Sequence, residues 1–178
     1  MNYVLLAEGF EEVEAITIID VLRRAEIEVT TVGIGSKTVT GTHGIPVIAD
    51  MCSCEAKAEG LEMVILPGGM PGTTNLGESE KVAEYVDYCV KNDKYVCAIC
   101  AAPMVLGKLG VLEGKNAVCY PGCEGGLTGA NIVKEAVVTD GKVVTSMGPG
   151  TATEFGLKIV ELVKGKAVSD QVRSDMLL

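Results

Sequence analysis

Apolar and polar positions alternate along the chain in two rhythms. "YVLLA" (residues 3–7) is an unbroken apolar run, as expected of a strand buried on both faces. Residues 11–25, "EEVEAITIIDVLRRA", then repeat at helical spacing. Acids fill the first turn and Arg23 and Arg24 the last, as the helix dipole favours. "IEVTTVGI" (27–34) predicts the next strand, and "TVTGTHGIPVIAD" (38–50) a hairpin around Gly41–Gly44. "MVILPGG" (63–69) reads as a strand ending in a glycine turn, residues 79–92 as an amphipathic helix, and "YVCAI" (95–99) as a third buried strand. A helix from 101 to about 109 follows, then strands at "AVCY" (117–120), "AVVTD" and "KVVTS" around Asp140–Gly141. A long helix within 150–164 and a short helical tail at 167–174 complete the chain. Strand alternating with helix predicts an α/β fold whose mostly parallel sheet is covered on both faces, with antiparallel hairpins at its rim.

No linker, repeat or low-complexity run interrupts this pattern, so the 178 residues are expected to form a single domain. The chain is 48% hydrophobic, enough for a substantial core. A net charge of −9 argues against nucleic-acid or anionic-membrane partners. The N-terminus lacks a signal-peptide pattern and no apolar stretch approaches membrane-spanning length, which predicts a cytoplasmic protein with reduced thiols.

Phosphate-loop and dinucleotide glycine patterns are absent. His43 is the only histidine, which rules out the two-histidine metalloprotease pattern. Chemistry therefore falls to the seven cysteines. Cys52-x-Cys54 and Cys119-x-x-x-Cys123 are loose half-sites for zinc with no histidine to support them, and packing or surface thiols explain them as well.

Cys97-x-x-Cys100 has redox-pair spacing, but Cys97 lies inside a strand, and alternation predicts that the two thiols face opposite sides. Cys97 reads as core. Cys100 falls where strand gives way to helix, before the small residues Ala101 and Ala102, as at a nucleophile elbow. There the helix N-terminus is expected to favour the thiolate, and the Ala101 N–H to face an oxyanion, with Gly68–Gly69 at the same sheet edge as a second donor. A buried small residue in a tight turn is the alternative. Glu14 heads the apolar stripe of Ile18, Val21, Leu22 and Ala25, and a carboxyl buried there would be protonated or paired. Periodicity separates it only weakly from Glu11, and a solvated first-turn acid is the competing reading.

"LAEGFEEVEAITIIDVLRRA", "VILPGGMPG", "AICAAP" and "GPGTATEFGLKIVE" together resemble the ThiJ/PfpI superfamily, most nearly its Parkinson-disease-associated deglycase branch. The resemblance runs from residue 2 to about 173. It implies a flavodoxin-like three-layer sandwich, a homodimer and no cofactor or metal. It implies a reactive Cys100 with Glu14 as its protonated partner, and oxyanion N–H groups from Gly69 and Ala101. Relatives are described as glutathione-independent glyoxalases acting on small aldehydes such as methylglyoxal, as deglycases, and as oxidative-stress sensors or chaperones; more distant ones are intracellular cysteine peptidases. The chain departs from that pattern twice. Many active members carry a histidine where Tyr120 stands, and a phenol is a poorer proton shuttle at neutral pH. Met147 replaces a common arginine near the dimer interface. A peptidase reading needs an imidazole, which only His43 offers.

Overall fold

The computed structural model describes residues 1–178. Its strands are β1 (Asn2–Leu6), β2 (Thr30–Gly33), β3 (Thr38–Thr40), β4 (Pro46–Ile48), β5 (Met51–Cys52), β6 (Met63–Leu66), β7 (Tyr95–Ile99), β8 (Asn116–Ala117), β9 (Asn131–Ile132), β10 (Val137–Asp140) and β11 (Val143–Ser146). Its helices are α1 (Glu12–Arg24), α2 (Gly72–Glu78), α3 (Glu80–Lys91), α4 (Pro103–Lys108), α5 (Ala152–Lys164) and α6 (Lys166–Asp175). The central sheet runs β10-β11-β7-β6-β1-β2-β5 and is parallel except for β10, which pairs antiparallel with β11. The β3–β4 hairpin is antiparallel, as the sequence predicts.

Both faces of the sheet are covered, which is why its central strands β6 and β7 are apolar runs. Val4, Leu6, Met63, Ile65, Cys97 and Ile99 pack on the side of α1 and α5. Tyr3, Leu5, Val64, Leu66, Val96 and Ala98 pack on the other side, against α3 and α4. Gly156 brings α5 close to α1; a methyl there would lie 2.9 Å from Val21 Cγ1. No helix is long and apolar enough to cross a membrane.

Three expectations need correction. Residues 27–29 are not strand: the β1–β2 register begins at Tyr3↔Thr30, so these residues precede any partner, although Ile27 and Val29 are buried. The 117–120 strand is reduced to β8, which pairs with β9 in a separate two-stranded ladder. β7 already has β6 and β11 as neighbours and leaves no edge for it. Helix α2 was not expected, because "GTTNLGE" carries two glycines and no apolar period.

Candidate active site

The parallel strands β1, β6, β7 and β11 end at one edge of the sheet, where open α/β folds bind ligands. Cys100 follows β7 there, with φ +65°, a left-handed conformation unusual for a residue with a side chain. Its backbone is held from two sides. Its N–H donates to Ser146 O at 2.9 Å, and its carbonyl accepts from Tyr120 N at 2.8 Å.

The left-handed turn also breaks the alternation of β7. Strand periodicity would send Cys100 to the α3–α4 side, opposite Cys97. Instead it packs with the cluster on the α1–α5 side, where Cys97 also lies. That is the side of Glu14. Cys97 itself is fully buried, and desolvation holds its thiol protonated.

Glu14 is 0% exposed, on the same stripe as buried Ile18, Val21, Leu22 and Ala25. Its Oε2 accepts the Gly68 N–H at 2.7 Å, while Glu11 N donates to Gly68 O at 2.9 Å, so the end of β6 clasps the start of α1. The second carboxyl oxygen, Oε1, has no partner of ordinary hydrogen-bond geometry. The carboxyl nevertheless sits against the Cys100 thiol. Burial raises the Glu14 pKa from 4.5 to about 7; the Gly68 N–H and the thiol oppose the rise, and Glu11 adds slightly to it. Near neutral pH this carboxyl is divided between its protonated and ionised forms.

Burial, followed by the charge of Glu14, pushes the Cys100 thiol up, while the N–H groups of Ala101 and Gly69 pull the other way. This corrects the expectation that the helix N-terminus favours the thiolate: the thiol is raised, not lowered. Helix α4 is only six residues long and begins at Pro103, so its dipole is weak and displaced from the sulfur. Burial and the neighbouring carboxyl thus keep the Cys100 thiol protonated over the range in which Glu14 ionises. When that proton leaves, the backbone N–H groups of Ala101 and Gly69 meet the sulfur charge.

Glycines make the close approach possible. A methyl on Gly68 would lie 2.6 Å from Cys100 Cβ and 2.8 Å from Glu14 Oε2. Gly68→Ala is therefore expected to push the pair apart, destabilise the fold by about 1–3 kcal/mol and lower thiol reactivity. Urea unfolding and the rate of iodoacetamide labelling at Cys100 check this.

Tyr120 is 49% exposed. Its ring edge lies beside Gly148; a methyl built there would be 3.1 Å from Tyr120 Cδ2 and 3.9 Å from Cys100 Sγ. The bare Gly148 thus leaves a slot between ring and sulfur, a feature the sequence reading missed. Thr151 Oγ1 holds that loop, accepting from Gly148 N at 3.1 Å and donating to Gly148 O at 2.9 Å. Met147 precedes this loop and lines a cavity of about 390 Å³ with Val118, Cys119, Pro121 and Ile132.

His43 bonds elsewhere. Its Nδ1 lies 2.9 Å from Glu12 Oε2, its backbone N–H donates to Glu12 Oε1 at 2.8 Å, and its ring is exposed. Glu12 was also missed as a buried acid: it is the anchor that ties α1 to the β3–β4 hairpin. Glu11, Glu12 and His43 are close enough together to hold a cation, but the Glu12–His43 hydrogen bonds account for the arrangement.

Fold and site together define a flavodoxin-like α/β protein with a thiol on an elbow turn and a buried carboxyl behind it. The DJ-1/PfpI family model matches residues 2–162, and the chain belongs to that family. It is 38% identical to Protein dj-1beta of Drosophila melanogaster, over 98% of this chain and 95% of the relative. The crystal structure of Drosophila melanogaster DJ-1beta superposes with a TM-score of 0.95, covering 100% of this chain and 99% of that one. Toxoplasma gondii DJ-1, solved in an oxidized form, gives a TM-score of 0.95 at 33% identity, covering 98% of this chain and 96% of that one. A Caenorhabditis elegans relative named glutathione-independent glyoxalase DJR-1.2 is 32% identical over 96% of this chain and 92% of its own length.

Proposed function

We propose that the protein is a cofactor-independent, cysteine-dependent glyoxalase acting on 2-oxoaldehydes such as methylglyoxal, with related deglycase chemistry at the same thiol. The observation that carries this reading is the buried Glu14 carboxyl, with its proton affinity near neutral pH, against a Cys100 held on a left-handed turn. The name of the nematode relative supports the substrate class.

The Cys100 sulfur adds to the aldehyde carbon as its proton passes by way of Glu14 to the aldehyde oxygen, giving a hemithioacetal whose oxygen is met by the Gly69 and Ala101 N–H groups. Glu14, now ionised, removes the proton from that carbon to give an enediol and returns it to the neighbouring carbon. The product is the thioester of a 2-hydroxy acid. Water hydrolyses it and restores the thiol. The net change is an internal redox isomerisation plus one water, so no external oxidant or reductant is consumed. Lactate formation from methylglyoxal without glutathione tests the reading; no lactate from the reduced, folded protein would refute it.

Tyr120 stands at the open side of the sulfur, where a weakly acidic phenol transfers protons poorly at neutral pH. Tyr120→His is expected to raise turnover about tenfold near pH 7, measured as kcat for lactate formation.

A second reading uses the same thiol. Cys100 would be oxidised to a sulfinate and signal through the altered protein, or serve a chaperone role, and the oxidized form of the Toxoplasma relative favours keeping it in view. Cysteine peptidase activity is disfavoured because the only imidazole is engaged by Glu12.

We further propose that the working form is a homodimer. Val13 and Ile16 on α1 and Ile45 and Ile48 on the hairpin are exposed apolar side chains, with Ile48 75% exposed, and Glu12 ties the two elements together. Sedimentation is expected to give a dimer in wild type, and a monomer when Ile45 and Ile48 are both replaced by Glu.

A further inference from the structure

A second pair of thiols lies at the far side of the sheet from Cys100. Cys52 ends β5, the edge strand, and Cys54 lies two residues on. Strands β6, β1 and β2 stand between β5 and β7, so about 19 Å of sheet separates the pair from the elbow.

The residue between them is fixed firmly. Ser53 N donates to Gly33 O at 2.9 Å, its Oγ accepts from Gly35 N at 3.1 Å, and its carbonyl accepts from Tyr85 Oη at 3.3 Å. With the Ser53 side chain buried, its two neighbours are turned outward; Cys54 is exposed and Cys52 partly so. The N–H of Cys54 donates to the Cys52 sulfur at 3.3 Å, which brings that sulfur back over its neighbour. That bond holds the two cysteines together on one turn, and no third histidine, cysteine or carboxylate joins them to complete a metal site.

We propose that Cys52 and Cys54 form a redox dithiol, oxidised by hydroperoxides to an intrachain disulfide and independent of Cys100. The Cys54 thiol and N–H lower the proton affinity of Cys52 and thereby raise that of Cys54, so Cys52 is the attacking sulfur; the Glu55 carboxylate works against this to a smaller degree. Cys52 thiolate attacks the peroxide, breaking the O–O bond, and becomes a sulfenic acid as water or an alcohol leaves. The Cys54 sulfur then displaces the sulfenic oxygen as water, closing the S–S bond. The peroxide takes up the two electrons the thiols lose. A ring closed over one residue is strained and therefore readily reopened by a small thiol.

Trypsin releases residues 38–57, "TVTGTHGIPVIADMCSCEAK", in which Cys52 and Cys54 are the only cysteines. The folded protein would be treated with hydrogen peroxide in slight excess, alkylated and digested. That peptide is expected to lose two hydrogens and to resist alkylation until reduced. Cys54→Ser should leave a sulfenic acid on Cys52 that dimedone traps, and Cys52→Ser should leave Cys54 alkylatable. Free alkylation of both thiols at a peroxide dose that oxidises Cys100 would overturn the proposal. So would disulfides that join two chains, or equal oxidation of the peptide in urea-unfolded protein.

Discussion

Cys100→Ala is expected to reduce lactate formation from methylglyoxal by at least about 10³-fold, towards the buffer rate, because the proposed proton transfer needs a thiol beside Glu14. The fold should survive. Alanine meets the same left-handed backbone as cysteine, and the Ser146 and Tyr120 hydrogen bonds are to main-chain atoms. Cys97→Ala is the control: its thiol is wholly buried in the core between the sheet and α1–α5, so turnover should hold. Lactate assays and circular dichroism on the two variants decide the matter. Equal turnover in Cys100→Ala and wild type would remove Cys100 from the mechanism.

Glu14→Gln is expected to cost about 10²–10⁴ in kcat, the range for loss of a positioned general acid or base. It should also change how stability depends on pH. The folded state raises the Glu14 pKa from 4.5 to about 7, so in that window it binds more protons than the unfolded chain. Wild-type stability is then greatest, for this group, below pH 4.5 and falls as pH rises to about 7, by roughly 3 kcal/mol in all. Glutamine does not titrate. Urea unfolding from about pH 5 to about pH 8 should show wild type losing stability relative to the variant. Parallel curves would mean that Glu14 ionises freely in the folded protein.

Glu14 illustrates how far sequence reaches. Its place on an apolar stripe is visible from spacing, yet spacing could not separate it well from Glu11, and it gave no hint that Glu12 is buried too. The carboxyls diverge because different elements meet them: the end of β6 meets Glu14, and the hairpin meets Glu12. Helix α2 was hidden for the opposite reason, since Gly72 suits close approach to the Gly9–Phe10 loop and not helix propensity.

By itself the sequence determined the main strands β1, β6, β7, β10 and β11, the long helices α1, α3 and α5, the parallel sheet, the elbow position of Cys100 and the core role of Cys97, because these follow from local periodicity and turn chemistry. Only the tertiary structure decided which way the Cys100 thiol turns and what holds its proton. A left-handed φ overrides strand alternation, and burial against Glu14 outweighs a short, distant helix dipole. Both effects arise from groups that lie far apart along the chain and meet only where β1, β6, β7 and β11 end together.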